Sequence, residues 1–254
     1  MEGKRPTFSI ITITFNAEKW LERTVTSVLS QSYPDIEYII IDGASKDGTV
    51  DIIKQYASGI AYWSSEPDGG LYFAMNKGLQ HATGDYVWFL NAGDTFFAAN
   101  TVQRVSASIL KSKKTVDIIY GETAIVDADG KFLSMRRLKA PDRLTWKKFK
   151  MGMLVCHQSF VVRREIAPEY ETNYRLVADY DWCIRCMKQA DKIKNSRLTL
   201  VNFLEAGMSS ARRKESLKER YAIMCKYYGI LPTALRHGWF AFRFGLAKLF
   251  GKHI

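Results

Sequence analysis

Little in this 254-residue chain suggests covalent stapling or insertion into a bilayer. Its four cysteines, Cys156, Cys183, Cys186 and Cys225, are too few and too scattered for a disulfide scaffold, which favours a reducing, cytosolic setting. No uncharged apolar run approaches the roughly 18 residues that a spanning helix requires. The apolar stretch at 8–15 is short, rich in Thr and Ile, and followed at once by Asn16, Ala17, Glu18 and Lys19, so it reads as a strand rather than a signal peptide. Internal repeats and low-complexity tracts are absent.

Several nucleotide and hydrolase signatures are also missing. Without Gly-x-Gly-x-x-Gly after the first strand, a dinucleotide dehydrogenase is disfavoured. Without Gly-x-x-x-x-Gly-Lys-Ser/Thr, a P-loop NTPase is excluded, and the lack of Gly-x-Ser-x-Gly weakens an α/β-hydrolase reading.

What remains is ordinary globular composition, 47% hydrophobic and 25% charged, which rules out wholesale disorder. A chain of this length buries about three quarters of its unfolded surface and folds without disulfides or a structural metal. The net charge of +11 is unevenly spread. Residues 1–110 hold 8 Lys and Arg against 12 Asp and Glu, a net of −4; residues 111–254 hold 29 against 14, a net of +15. A basic half of this kind suits an anionic membrane, a phosphorylated substrate or nucleic acid, or simply a solvated lysine-rich surface.

The first 120 residues alternate between two periodicities. Continuous β-branched or apolar runs at 8–14, 36–41, 60–63 and 86–90 read as buried parallel strands. Helical spacing appears in Trp20, Leu21, Thr24, Val25, Val28 and Leu29, then around 50–56 and 71–82. This is the pattern of βαβ units with right-handed crossovers. Beyond 115 come shorter strands (118–120, 123–126 and 132–136), a basic stretch at 136–150, a helix around 181–190, a strand at 198–204 and two terminal helices meeting near Gly229 and Pro232.

Open α/β sheets bind ligands outside the carboxyl ends of their strands. Four polar loops fall there: Asn16, Asp42-Gly-Ala-Ser-Lys-Asp47, Glu66-Pro-Asp-Gly-Gly70 and Asn91-Ala-Gly-Asp94. Carboxylates that meet an anionic nucleotide need a bridging divalent cation, and hard oxygen ligands suit Mg²⁺ or Mn²⁺.

The segments Ser9-Ile-Ile-Thr-Ile-Thr-Phe-Asn16, Ile41-Asp-Gly-Ala-Ser-Lys-Asp-Gly-Thr49, Gly84-Asp-Tyr-Val-Trp-Phe-Leu-Asn-Ala-Gly-Asp94 and Ala178-Asp-Tyr-Asp181 occur in the order that resembles glycosyltransferase family 2. The stretch at 65–78 and the pair His157-Gln158 are similar to the bacterial branch that builds colanic acid and related exopolysaccharides. The resemblance implies an inverting enzyme of GT-A fold over residues 1–210, Rossmann-like, with a mostly parallel central sheet and helices on both faces. It further implies a nucleotide-diphospho-sugar donor, a UDP-sugar by preference, and a lipid-linked or polysaccharide acceptor. By the same resemblance Thr14, Asn16, Asp42, Asp68, Asn76 and Asn91 serve the donor. Asp94 holds the metal, His157 and Gln158 meet the acceptor, and Asp179 is the general base. Three departures stand out: Asp42-Gly43 where two adjacent acids are common, Asn91-Ala-Gly-Asp94 for Asp-x-Asp-Asp, and Ala178-Asp179 for Glu-Asp.

Structural roles compete at several of these positions. Asp42 can shape its turn, Asp94 can cap a helix starting near Asn100, and Asp179 and Asp181 can open a helix. His157 can be a satisfied core histidine, and Cys183 and Cys186 read as helix packing. A nucleotidyltransferase and a non-catalytic polyanion binder are the rival classes. The first lacks its basic Gly-rich loop, and the second gives the acidic loops no role; nucleic acid is therefore not expected as a partner.

Residues 211–254 read as a basic amphipathic helical tail with 10 basic and 2 acidic residues. Leu235, Trp239, Phe242, Leu246, Leu249 and Phe250 share one arc, which fits in-plane insertion at the inner face of an anionic cell membrane or docking onto the catalytic domain.

Overall fold

The computed structural model describes residues 5–205 and 212–249, and of residues 213 and 240–249 the backbone alone. Nine strands form one sheet in the order β3-β2-β1-β4-β8-β6-β9-β5, with β7 paired to β6. The strands are β1 (Phe8–Thr14), β2 (Ile36–Asp42), β3 (Tyr62–Ser65), β4 (Tyr86–Phe89), β5 (Thr95–Phe96), β6 (Ile118–Val126), β7 (Phe132–Met135), β8 (Phe160–Arg163) and β9 (Ile193–Leu204). The helices are α1 (Glu18–Leu29), α2 (Thr49–Gln55), α3 (Leu71–His81), α4 (Thr101–Leu110), α5 (Ala178–Gln189), α6 (Arg213–Tyr228) and α7 (Ile230–Leu249).

The first four strands run parallel, and their register aligns the carboxyl ends: Thr14 lies beside Asp42, and Asp42 beside Ser65. Every residue of β1 is buried, as a strand covered on both faces requires. Phe8, Ile10, Tyr38, Ile40 and Trp88 face one layer with Leu21, Val25, Ile53 and Val102 from α1, α2 and α4. Ile11, Ile13, Ile39, Ile41 and Phe89 face the other, with Tyr72 and Met75 of α3, Trp182 and Cys183 of α5, and Ile223 and Met224 of α6. Gly78 lets α3 sit on β1, since a Cβ there would lie 2.5 Å from Ile11 Cγ2.

The second half of the sheet is mixed. β8 joins β4 and β6 antiparallel, β5 and β7 are antiparallel to β9 and β6, and β9 runs parallel to β6. β9 begins at Ile193, five residues before the expected strand, and its register against β6 shifts near Gly121. Leu198 O lies 2.4 Å from where a Cβ on Gly121 would stand, so only glycine admits the shift.

The expected boundary at residue 211 falls between elements that share a core, because Ile223 and Met224 are buried in the layer that holds α5. The tail does form two helices that meet at Gly229. No helix among the described residues is long and apolar enough to cross a membrane.

Candidate active site

The loops at the carboxyl ends of β1 to β3 are built by their own side chains. Asp42 is fully buried and accepts from Ser45 N (2.9 Å), Ser45 Oγ (2.5 Å) and Ser65 Oγ (2.6 Å), which ties the β2 loop to the end of β3. Asn16 adopts a left-handed φ of 47°, takes the Lys46 N–H on Oδ1 and donates its own N–H to Ser45 Oγ. Asp68 leans over this loop: a Cβ on Gly43 would sit 3.1 Å from its Oδ2, so the β3 loop supplies a carboxylate beside the position where a second acid is absent.

At the ends of β1 and β4, Thr14 Oγ1 and Asn91 Oδ1 are buried and have no hydrogen-bond partner. Buried polar atoms are nearly always satisfied, so two orphans at neighbouring strand ends mark a place for a polar ligand. The Asn91–Asp94 turn is pinned by α1, where Arg23 Nε donates to Gly93 O (2.8 Å) and Thr24 Oγ1 to Asp94 O (2.8 Å). Gly93 has φ 102°, which explains glycine where an acid is common in the motif.

Asp94 is 4% exposed and caps no helix; Oδ1 accepts the Leu204 N–H at 2.9 Å. Burial pushes its carboxyl up to about 7, against the pull of the Leu204 amide, Arg23 and Gln158. Among the described residues no three His, Cys, Asp or Glu side chains gather to hold a metal. A lone carboxylate still suits Mg²⁺ or Mn²⁺, which take one or two carboxylates and complete their shells with water and substrate phosphates.

Asp179 stands in the first turn of α5, partly buried, with Oδ1 accepting from Tyr180 N (2.9 Å) and Tyr72 Oη (3.3 Å). Burial raises its pKa, opposed by Arg220, the Tyr180 amide and Tyr72. Burial lifts the Cys156 thiol to about 11, and Asp94 and Asp179 both add to the rise. The Gln158 side chain faces Asp94 and also accepts from Cys156 Sγ (3.0 Å).

Two expected contacts take other places. Asn76 spends both ends of its amide on the Tyr170 backbone, accepting from N at 2.6 Å and donating to O at 3.0 Å, so it holds a loop rather than facing a donor. His157 is 3% exposed, packs against Phe89 and Trp182, and shares a 2.6 Å hydrogen bond between Nε2 and Tyr170 Oη. Its imidazole is a satisfied core group and presents no open face to an acceptor. Both residues converge on Tyr170, which stacks on Tyr72 (5.6 Å) and Trp182 (4.9 Å) and thereby sets the phenol that touches Asp179. Sequence motifs did not point to Tyr170, Arg136 or Arg220, and Tyr72 lies within the 65–78 stretch, where no role was assigned to it.

The family model for glycosyl transferase family 2 matches residues 9–170. An uncharacterized glycosyltransferase of Mycobacterium tuberculosis is 33% identical over 217 residues, covering 84% of this chain and 80% of that one. The chain belongs to glycosyl transferase family 2. A PGL/p-HBAD biosynthesis glycosyltransferase of Mycobacterium bovis is 34% identical over 188 residues, 71% of this chain and 70% of that protein. The putative teichuronic acid biosynthesis glycosyltransferase TuaG of Bacillus subtilis is 43% identical over 97 residues, 37% of this chain and 38% of TuaG. Among solved structures, S. aureus TarS 1-349 in complex with UDP superposes with a TM-score of 0.66 at 17% identity, over 86% of this chain and 65% of that one. Mannosyltransferase PcManGT from Pyrobaculum calidifontis, in complex with GDP-Man and Mn²⁺, gives 0.65 at 17% over 96% and 81%. These likenesses carry the GT-A fold.

Proposed function

We propose that this glycosyltransferase moves a hexosyl or N-acetylhexosaminyl group from a nucleoside diphospho-sugar to a hydroxyl of a lipid-linked or polysaccharide acceptor, with inversion. The observation that carries the reading is Asp179: a carboxylate held by Tyr72 of α3 and by the Tyr180 amide, raised in pKa by burial and free of ion pairs among the described residues. In this role Asp179 accepts the proton of the acceptor hydroxyl. The hydroxyl oxygen bonds to the anomeric carbon as the bond from that carbon to the diphosphate breaks, and the electron pair leaves with the nucleoside diphosphate. Tyr72 and the Tyr180 amide hold the carboxylate in place.

Thr14, Asn16, Asp42, Asp68 and Asn91 form the donor side, Asn16 and Asp42 by shaping the loop and Thr14 and Asn91 by their open polar atoms. Asp94 would hold Mg²⁺ or Mn²⁺, which supplies positive charge to the diphosphate. Gln158 is retained on the acceptor side and His157 supports it from within the core. Relatives named for teichuronic acid and PGL/p-HBAD biosynthesis support a place in bacterial surface-glycan assembly, and the colanic-acid-type branch is our narrower assignment.

Ile230, Leu231, Leu235 and Trp239 of α7 are exposed, which fits peripheral attachment to an anionic membrane at the cytoplasmic face. The side chains of Phe242, Leu246, Leu249 and Phe250 lie outside the described residues. Flotation with anionic liposomes checks this part, and unchanged flotation of a chain lacking residues 233–254 refutes it.

Thermal shift with UDP, GDP, CMP, dTDP and ATP, with and without Mn²⁺, tests the donor. A ligand at a hundredfold its Kd adds about 2.7 kcal/mol, and one diphosphate should stand out. A panel with no shift contradicts the donor assignment. Asp179→Asn should then abolish transfer and leave nucleotide affinity within a few-fold; equal loss of both removes the base role.

A further inference from the structure

A cavity of about 730 Å³ opens between α3, the segment 167–177 and α5, and none of the strand-end loops lines it. Its size falls within the range of small-ligand sites, about 300–1,000 Å³. The walls are set before any ligand arrives. Asn76 holds both polar groups of the Tyr170 backbone, and Gln80 Nε2 donates to Glu169 Oε1 at 3.1 Å, so two rungs join α3 to the segment. Trp182 Nε1 donates to Pro168 O (2.6 Å) and its ring stacks on Tyr170, which joins the same segment to α5. His81 lies flat on Tyr62 of β3, ring centroids 3.6 Å apart. Walls fixed in this way spare a ligand the ordering cost that a loose loop adds to binding.

The lining is polar, and its cations are already neutralised. Lys77 is paired to Glu66 of the β3 loop, and Arg185 to Asp181 one turn back on α5. Glu169 and Glu171 add carboxylates that are exposed at the rim. Such a mouth repels phosphates and carboxylates. It offers instead a set of planar forks in the Gln80 amide, the Glu169 and Glu171 carboxylates and the Arg185 guanidinium, together with the Thr172 hydroxyl. Arg185 spends Nε on Asp181 (2.6 Å), while its Nη2 is buried and has no hydrogen-bond partner. Buried polar atoms are seldom left open in this way. Phe73, on the same lining, is 46% exposed. Planar forks engage two neighbouring hydroxyls at once, and an exposed ring covers the apolar C–H face of a pyranose.

The cavity is also placed to serve the reaction without touching it. Tyr170 lines it and stacks on Tyr72, whose hydroxyl meets Asp179. Arg185 follows Asp179 by six residues on α5, a rise of about 9 Å, and Gln80 follows Tyr72 by eight on α3, about 12 Å. Both walls thus carry the cavity farther from the carboxylate than one sugar ring reaches. We infer that this cavity is a subsite for an uncharged saccharide: the units of the acceptor glycan that lie behind the one receiving the new sugar. Resting on the function proposed above, the inference adds which part of the acceptor the protein reads, namely neutral hydroxyls remote from the bond that forms.

Calorimetric titration of the full chain with maltotriose, cellotriose, mannotriose and triacetylchitotriose, beside inorganic phosphate and beside UDP and GDP with Mn²⁺, tests the subsite. At least one trisaccharide should bind with a Kd of about 1 mM or tighter, and saturating nucleotide should not displace it. Glu169→Ala removes a charged hydrogen-bonding group and should weaken that trisaccharide by about tenfold, with nucleotide affinity within about twofold of the parent. If no trisaccharide binds, or if binding is indifferent to Glu169→Ala, the subsite is overturned; UDP or GDP binding in the same protein then leaves the transferase reading standing. Tighter binding of inorganic phosphate than of every trisaccharide also overturns it. Trisaccharide binding that Glu169→Ala weakens, in a chain that takes no nucleotide, keeps the subsite and removes the donor assignment. Should Glu169→Ala melt early because Gln80 has lost its acceptor, Glu171→Ala, exposed on the same rim, carries the comparison.

Discussion

Acid should unfold this protein through His157, and the size of the effect follows from its surroundings. Burial among Phe89, Tyr170 and Trp182 lowers the imidazole pKa from 6.5 to about 3. The Tyr170 phenol, raised well above its usual pKa by burial, stays protonated and shares one hydrogen bond with Nε2, while burial keeps the ring neutral. A base with a depressed folded pKa takes up its proton in the unfolded chain first. Its contribution is therefore complete above pH 6.5 and drains as pH falls toward 3. Between pH 8 and pH 5 the linkage amounts to about 2 kcal/mol of lost stability. Asp94, raised to about 7, works in the opposite sense, gaining stability over the same interval, so the total slope of the parent protein does not isolate either group. His157→Gln does. It keeps an acceptor for Tyr170 and cannot titrate, and any packing penalty it carries is independent of pH. Urea unfolding of both proteins at pH 8 and pH 5 is the assay. The variant should lose about 2 kcal/mol less than the parent across that interval. Equal losses would show that the ring is reachable by protons in the folded state, and would restore it as a candidate acceptor contact.

Three further outcomes follow from the packing. Asn76→Ala strands both polar groups of the Tyr170 backbone and should cost about 2 kcal/mol in denaturant unfolding, with nucleotide affinity little changed. Gly93→Ala forces a left-handed φ on a residue whose Cβ would stand 2.8 Å from Leu204 Cδ2; about 1–3 kcal/mol should be lost, with weaker Mn²⁺ dependence of any thermal shift. Ile223→Ala should cost about 2–5 kcal/mol in a single cooperative transition, whereas a separate early transition would show that α6 folds apart from the sheet.

The parallel half of the sheet was legible because buried parallel strands are continuous apolar runs. The segments 8–14, 36–41 and 86–90 stand out without help, and their carboxyl ends locate the loops. The mixed half was not. β8 and β5 have four and two residues, too short for any periodicity, and the first five residues of β9, Ile193 to Arg197, are mostly polar. Side-chain roles were legible by position and not by direction. Asp179 and Asp94 lie where the motifs put them, yet Asn76 and His157 turn inward to Tyr170, and an amide or imidazole serves core and site equally well on paper. Arg220 and Glu219 belong to a helix that reads as part of a basic amphipathic tail, since the residues that bury it in the core, Ile223 and Met224, are few.

The position of α6 also bears on how the molecule is made. Strands β1 to β4 and their loops are synthesised first and pair with one another in parallel. The bed that receives Ile223 and Met224, and the segment 175–177 that Glu219 fastens, stay open until α6 leaves the ribosome. A chain interrupted after β9 would display apolar surface and leave unfastened the segment that leads into α5 and Asp179. The residues around Asp179 thus gain their last support only once α6 has been made.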